Sequence, residues 1–325
     1  MTNERALADI NDIALKQRKA EERSAPDQLK SAKLSDLLKK PAYIGFVEGS
    51  FLAGLDFVMF LCDRDDGIAL RLLWKREFEP ASLAIWRRLA MAADLVVDVG
   101  GHTGIYSIVA GLANPKARVH TFEPHEMNFG RLLLNLRANG LTGKNAHNLA
   151  ASRSAGAVPF MVKINHYLSA GGSIVPEDQE FAKMVPCGPI DDHVPLEPRN
   201  VCVKIDTEGH EVEVLAGMPK LLERKPNLIL ECAFVPTMLE TEVDLKAAGY
   251  SFYYIDDRRW QLDAIDTLAE PPVGVGPTDR ENVLITTMSE QDVRAMFQRA
   301  RADYEEAIQN IAAGQDDPLT APLQP

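Results

Sequence analysis

The stretch Leu95-Val96-Val97-Asp98-Val99-Gly100-Gly101-His102-Thr103-Gly104-Ile105-Tyr106-Ser107 decides the fold of this 325-residue chain. A short apolar run ending in an acid reads as a buried strand. Two glycines then let the backbone turn sharply and admit a ligand without interference from a Cβ. Apolar residues from Gly104 to about Ala113 read as a helix. A glycine loop between a strand and a helix is a ligand-binding turn, but of an unusual kind. Val99 stands where the dinucleotide fingerprint GxGxxG needs its first glycine, and no Lys-Ser or Lys-Thr follows as in a phosphate-binding P-loop. Asp98 would repel a pyrophosphate and suits a ligand carrying an ammonium and a sulfonium.

Outward from this loop, strands and helices alternate. Arg118 to Glu123, Ala146 to Ala150, Val201 to Asp206, Asn227 to Glu231, Ser251 to Ile255 and Asn282 to Thr286 read as strands. With Leu95 to Asp98 they make seven, and Val158 to Ile164 reads as an extra one. Glu126 to Ala138, Glu211 to Leu222 and Thr237 to Ala248 read as helices. This alternation predicts a doubly wound sheet, with its ligand beyond the carboxyl ends of the strands. Asp98, Glu123, Asp206 and Glu231 all fall at such ends. Glu123 can accept both hydroxyl protons of a ribose.

Three motifs in order carry a family resemblance: Val96 to Ser107; Phe122-Glu123-Pro124 with Asn128 and Asn135; and Val203-Lys204-Ile205-Asp206-Thr207-Glu208-Gly209-His210-Glu211. Over about residues 78 to 235 the chain resembles the FkbM methyltransferases. The resemblance implies a class I methyltransferase (Rossmann-like) fold and S-adenosyl-L-methionine as methyl donor. It also implies O-methylation of hydroxyls on sugars, glycans or secondary metabolites. The expected cofactor-binding residues are Asp98, Gly100, Gly101, His102, Thr103, Gly104, Tyr106, Glu123, Pro124 and Asn128. His102 stands where the family more often has Asn; it contacts the cofactor carboxylate or faces solvent.

A hydroxyl is a weak nucleophile at neutral pH, so a base or a metal should assist it. Asp206 is the first candidate, as base or as a residue orienting one. Glu208 and His210 come next. The competing reading of Glu208 and Glu211 is that of acids placed at a helix N-terminus by the macrodipole. Asp206 and Glu231 form a hard-ligand pair with no further ligand set evident, so no metal is assigned. The glycine-containing segment from 165 to 189 reads as irregular; within it the loop from Asn165 to Ser173 reads as a substrate cover, with His166, Tyr167 and Ser173 as acceptor contacts, the alternative being a surface loop without chemistry.

The expected organisation is an N-terminal helical arm (1–42), a small β-hairpin cap (43–78), the methyltransferase domain (79–290), and a C-terminal helix with a disordered tail (291–325). The arm reads as solvated, with homo-oligomerisation through it the alternative. In the cap, Phe57 to Leu61 and Ile68 to Trp74 flank an Asp-Gly turn, which is a hairpin signal. The net charge of −12 disfavours nucleic acid and anionic membranes. The four cysteines form no CxxC pair and read as buried hydrophobes of a reducing compartment. With no signal-peptide pattern and no membrane span, a cytoplasmic location is expected.

Pro186-Cys187 and Glu281-Asn282-Val283 resemble two motifs of cytosine C5 methyltransferases. They lie before the fourth strand and at the seventh, which is the wrong placement for that chemistry. Two alternatives stay open: a non-catalytic scaffold that binds the cofactor, and a small-molecule N- or C-methyltransferase.

Overall fold

The computed structural model describes residues 3–49, 55–162, 172–174, 182–276 and 281–312. Helices α1 (Asn3–Ser24), α2 (Pro26–Ser31) and α3 (Leu34–Leu37) lead into strands β1 (Tyr43–Glu48) and β2 (Val58–Asp63) and helices α4 (Gly67–Lys75) and α5 (Pro80–Ala92). Next come β3 (Leu95–Val99), α6 (Ile105–Ala113), β4 (Arg118–Phe122), α7 (Glu126–Ala138) and β5 (Ala146–His147). A group of strands follows: β6 (Ala150–Ala151), β7 (Gly156–Val162), β8 (Gly172–Ile174) and β9 (Lys183–Gly188). The chain continues through β10 (Val201–Ile205), α8 (Glu211–Ala216), α9 (Pro219–Leu222), β11 (Asn227–Cys232) and α10 (Leu239–Ala247). It ends in β12 (Ser251–Asp256), β13 (Gln261–Ile265), β14 (Glu281–Thr286) and α11 (Glu290–Ala312).

The main sheet has eight strands in the order β13-β12-β14-β11-β10-β3-β4-β5. Five strands, β5, β4, β3, β10 and β11, run parallel, and β14 enters antiparallel beside β11. All seven strands expected for the sheet are present. The eighth, β13, folds back on β12 as an edge hairpin. Strand residues alternate between two cores: Val96, Cys202, Ile229 and Leu284 pack with α5 and α6, and Val97, Val203, Leu228 and Ile285 pack with α8 and α10. Burial on both faces explains why these strands read as continuous apolar runs.

The cap differs from the expected hairpin. β1 pairs with β2, but residues 68–74 are helical. Asp66 starts that helix by accepting the amides of Ile68 and Ala69 at 2.8 and 3.1 Å. A carboxylate satisfying two first-turn donors is a helix start, and a short apolar run alone does not separate strand from helix. Asp66→Ala is expected to destabilise the protein by about 1–2 kcal/mol, read as a lower urea midpoint with an unchanged slope.

The N-terminal arm is docked, not solvated. Ala14, Leu29 and Leu37 join the core that holds Trp74 and Trp86, and Arg18 is 2% exposed. The Asn11 amide extends the edge of β1 by exchanging two hydrogen bonds with the Ile44 backbone, at 2.8 and 2.9 Å. Part of the segment expected to be irregular is also ordered. β8 and β9 pair with β7, and β6 adds to β9, giving a second, four-stranded sheet. The expected third strand therefore divides, with 146–147 in the main sheet and 150–151 in the second. The expected tail beyond residue 312 lies outside the described residues. No helix among them is long and apolar enough to cross a membrane.

Candidate functional site

A cavity of about 260 Å³ opens at the carboxyl ends of β3, β4, β10 and β11. The glycine loop, the second sheet and the cap close around it. Gly100, His102, Glu123, Pro124, Asn128, Asp206 and Glu208 line it, as do Glu231, the cap residue Arg71 and, just after the cap, Glu79.

The loop is shaped by close approaches. Gly100 has φ +79°, and a Cβ there would lie 1.7 Å from the carbonyl oxygen of Asp206. A Cβ on Gly101 would meet the Thr121 side chain at 2.3 Å. Glycine thus lets the loop sit directly on β4 and β10. Beneath it Asp98 is buried and accepts the Ser107 hydroxyl at 2.6 Å. Burial raises its pKa to about 6, against the Ser107 hydrogen bond. Asp98, Gly101, Thr103, Gly104 and Tyr106 are not among the cavity-lining residues; they build the support under the loop. Asn135 ties that support to the cap: its amide donates to the Thr103 carbonyl at 2.8 Å, and its oxygen accepts the Phe60 amide at 2.8 Å.

Glu123 has both oxygens anchored from behind. Oε2 accepts the His102 amide at 2.9 Å and Oε1 the His125 amide at 2.8 Å. Burial pushes its carboxyl up to about 8, resisted by those two amides. The Asn128 side chain also hydrogen-bonds this carboxyl, and a carboxylate with about four lone-pair sites keeps acceptor capacity for a hydroxyl donor. Asn128 also lines the cavity, and its buried Oδ1 has no hydrogen-bond partner among the described residues. An unpaired buried acceptor is costly, and a ligand donor would relieve it. A vicinal diol such as a ribose fits this set.

At the other end, Asp206, Glu208 and Glu231 bring carboxylate oxygens within 4.8 Å of one another. These three are the residues that could hold a divalent cation. The sequence missed the cation already present, Lys204, which is 1% exposed on a central strand. Its ammonium lies 3.1 Å from Asp206 Oδ2 and 5.0 Å from the centre of the Tyr106 ring. Burial opposes that charge, but the carboxylates of Asp206, Glu79 and Glu231 outweigh it and raise the Lys204 pKa. Burial, then the charges of Asp206 and Glu208, push the Glu231 carboxyl strongly up. Like charges this close disfavour one another's ionised forms.

Two expected residues fall elsewhere. His210 is not among the cavity-lining residues; its Nε2 meets the Ser152 hydroxyl at 3.0 Å. Ser173 pairs with Met161 between β8 and β7, and it is the neighbouring Ile174 that lines the cavity. His166 and Tyr167 lie outside the described residues. Lys204 was legible only as a charge in an apolar strand, which signals a buried function. Arg71 and Glu79 gave no local signal.

The strand order, the antiparallel β14 and the glycine loop between β3 and α6 define a class I methyltransferase fold. Within it, residues 98–252 match the family model described as the methyltransferase FkbM domain. The hexuronic acid methyltransferase AglP of Haloferax volcanii is 31% identical over 142 residues, covering 42% of this chain and 55% of that protein. The chain thus spans about half the length of this curated relative. Among solved structures, the chain is similar to an O-methyltransferase from Bacillus cereus in complex with SAH, at 11% identity and a TM-score of 0.37 over 64% of this chain and 81% of that one. The O-methyltransferase TomG from Streptomyces achromogenes, in complex with SAM, matches at 12% identity and a TM-score of 0.36 over 65% and 80%.

Proposed function

We propose that this chain is an S-adenosylmethionine-dependent O-methyltransferase acting on a hydroxyl of a sugar, glycan or secondary metabolite. The observation that carries the reading is one continuous cavity. It joins the anchored Glu123 under the glycine loop to the Asp206 cluster at the end of β10. Bound there, the cofactor supplies a methyl group activated on a sulfonium.

The remaining work falls to the chain. Glu123 and Asn128 hold a diol, and Gly100 and His102 form the backbone wall beside it. Lys204 occupies Asp206 Oδ2, which leaves Oδ1 to take the proton of the acceptor hydroxyl as its oxygen becomes the nucleophile. Both ends of this one cavity would hold donor and acceptor in line, and alignment of this kind supplies much of the acceleration.

AglP is named for methylating a hexuronic acid, so uronic-acid glycosides are the first acceptors to test, beside neutral hexosides. Transfer of labelled methyl to a hydroxyl oxygen is the expected result. Methyl found on nitrogen or carbon would overturn the O-methyl assignment. Cofactor binding with no transfer to any acceptor would favour a non-catalytic scaffold. Loss of turnover in EDTA, restored by a divalent ion, would assign the Asp206–Glu208–Glu231 group to a cation.

Glu123 also sets a pH dependence. A diol donates to the carboxylate form, whereas the free site is protonated below about 8. Binding below that pH must first expel a proton, so affinity for S-adenosylhomocysteine should fall up to about tenfold per pH unit. Above it, affinity should level off. Calorimetric titration from about pH 6 to 9.5 checks this; the same slope in Glu123→Gln would rule it out.

A further inference from the structure

Two opposite charges reach one cavity from the cap and its junction with the main domain, Arg71 from α4 and Glu79 from the turn before α5. The two do not pair with each other. Among the described residues, Arg71 makes no ion pair within 4 Å, and its one hydrogen bond is from Nη1 to the Gly67 carbonyl at 3.1 Å. Its guanidinium carbon lies 5.7 Å from the centre of the Phe78 ring, which also lines the cavity. Burial lowers the Arg71 pKa, only partly offset by the fields of Glu79 and Asp66. A guanidinium has five N–H donors in a planar fork that matches a carboxylate, so most of its capacity here is unspent.

Glu79 is fixed with equal care. Its Oε2 accepts the Tyr106 hydroxyl at 2.5 Å and the Asn282 amide at 2.9 Å. Its backbone has φ +42° immediately before Pro80. A side-chain-bearing residue rarely adopts that conformation, and the following proline disfavours it further. Strain of this kind persists only where surrounding contacts over-determine it. Here the contacts hold a carboxylate at the cavity wall.

We infer that Arg71 and Glu79 form a cradle for an amino-acid zwitterion: Arg71 takes the α-carboxylate and Glu79 the α-ammonium of the cofactor's methionyl end. The inference rests on the cofactor reading above and assigns the amino-acid half of the ligand to Arg71 of the cap and Glu79 just after it, both outside the span matched by the FkbM model. Glu123 and Asn128 then serve the adenosine half. The cap is in this view part of the cofactor site and not merely a cover over it.

The test compares two ligands by calorimetry: S-adenosylhomocysteine, and 5′-methylthioadenosine, which keeps the adenosine and lacks the amino-acid end. The wild-type protein should bind the first much more tightly. Arg71→Met should weaken S-adenosylhomocysteine by about 10- to 100-fold, as expected for a hydrogen bond between charged groups. It should leave methylthioadenosine within about twofold, which also shows that the variant is folded. Arg71→Lys should restore part of the loss, and Glu79→Gln should weaken only the homocysteine ligand. Equal losses for both ligands, or no loss for either, would overturn the cradle. If the wild-type protein binds the two ligands equally, the cradle fails while the adenosine site stands. If it binds neither, the cofactor reading itself falls.

Discussion

Asp206→Asn is expected to lower methyl transfer by about 10²- to 10⁴-fold while S-adenosylhomocysteine affinity stays within a few-fold of wild type. The amide keeps the size of the side chain and lacks a basic oxygen to take the hydroxyl proton. Asn retains an oxygen for Lys204, which sits 3.1 Å from Asp206 Oδ2, so the buried ammonium keeps a hydrogen-bond partner. The loss should therefore fall on turnover and leave the fold intact. Single-turnover transfer with saturating cofactor separates the two quantities. Retained turnover would remove Asp206 as base and move attention to Glu208. A parallel loss of cofactor affinity would make Asp206 a binding residue.

The second large effect is structural in origin. Gly100→Ala should abolish cofactor binding and destabilise the protein by roughly 3 kcal/mol. The added methyl carbon would start 1.7 Å from the backbone oxygen of Asp206, at a φ of +79°. That oxygen belongs to the main chain at the end of β10, so no side-chain rotation relieves the contact. The loop and β10 must separate, which displaces His102 and the carboxylate cluster together. A lower Tm with loss of S-adenosylhomocysteine binding is the expected outcome. Near-wild-type stability would mean that the loop does not sit against β10 as described.

Much of the site was legible because its signals are local. A buried strand, two glycines and a helix start lie within consecutive residues, and a strand end marks Glu123 and Asp206 without knowledge of any other contact. The same locality explains the misreading at Ile68 to Trp74. Its composition suits strand and helix alike, and the outcome hung on whether Asp66 turned back to accept two amides. His210 looked suitable because it sits in the Asp206 motif. Yet the motif turns between β10 and α8, and the turn delivers His210 to the Ser152 hydroxyl, neither of which lines the cavity.

The chain's own order of residues thus determined the parallel strands, the loop from Asp98 to Gly104 and the acids at the strand ends, because backbone geometry and apolar periodicity are properties of short stretches. The docking of α1, the burial of Lys204 beside Asp206, and the arrival of Arg71 and Glu79 in the cavity were decided only by the tertiary structure. Each depends on segments far apart in the chain meeting through packing. What a charge does is set by the burial and partners it finds there.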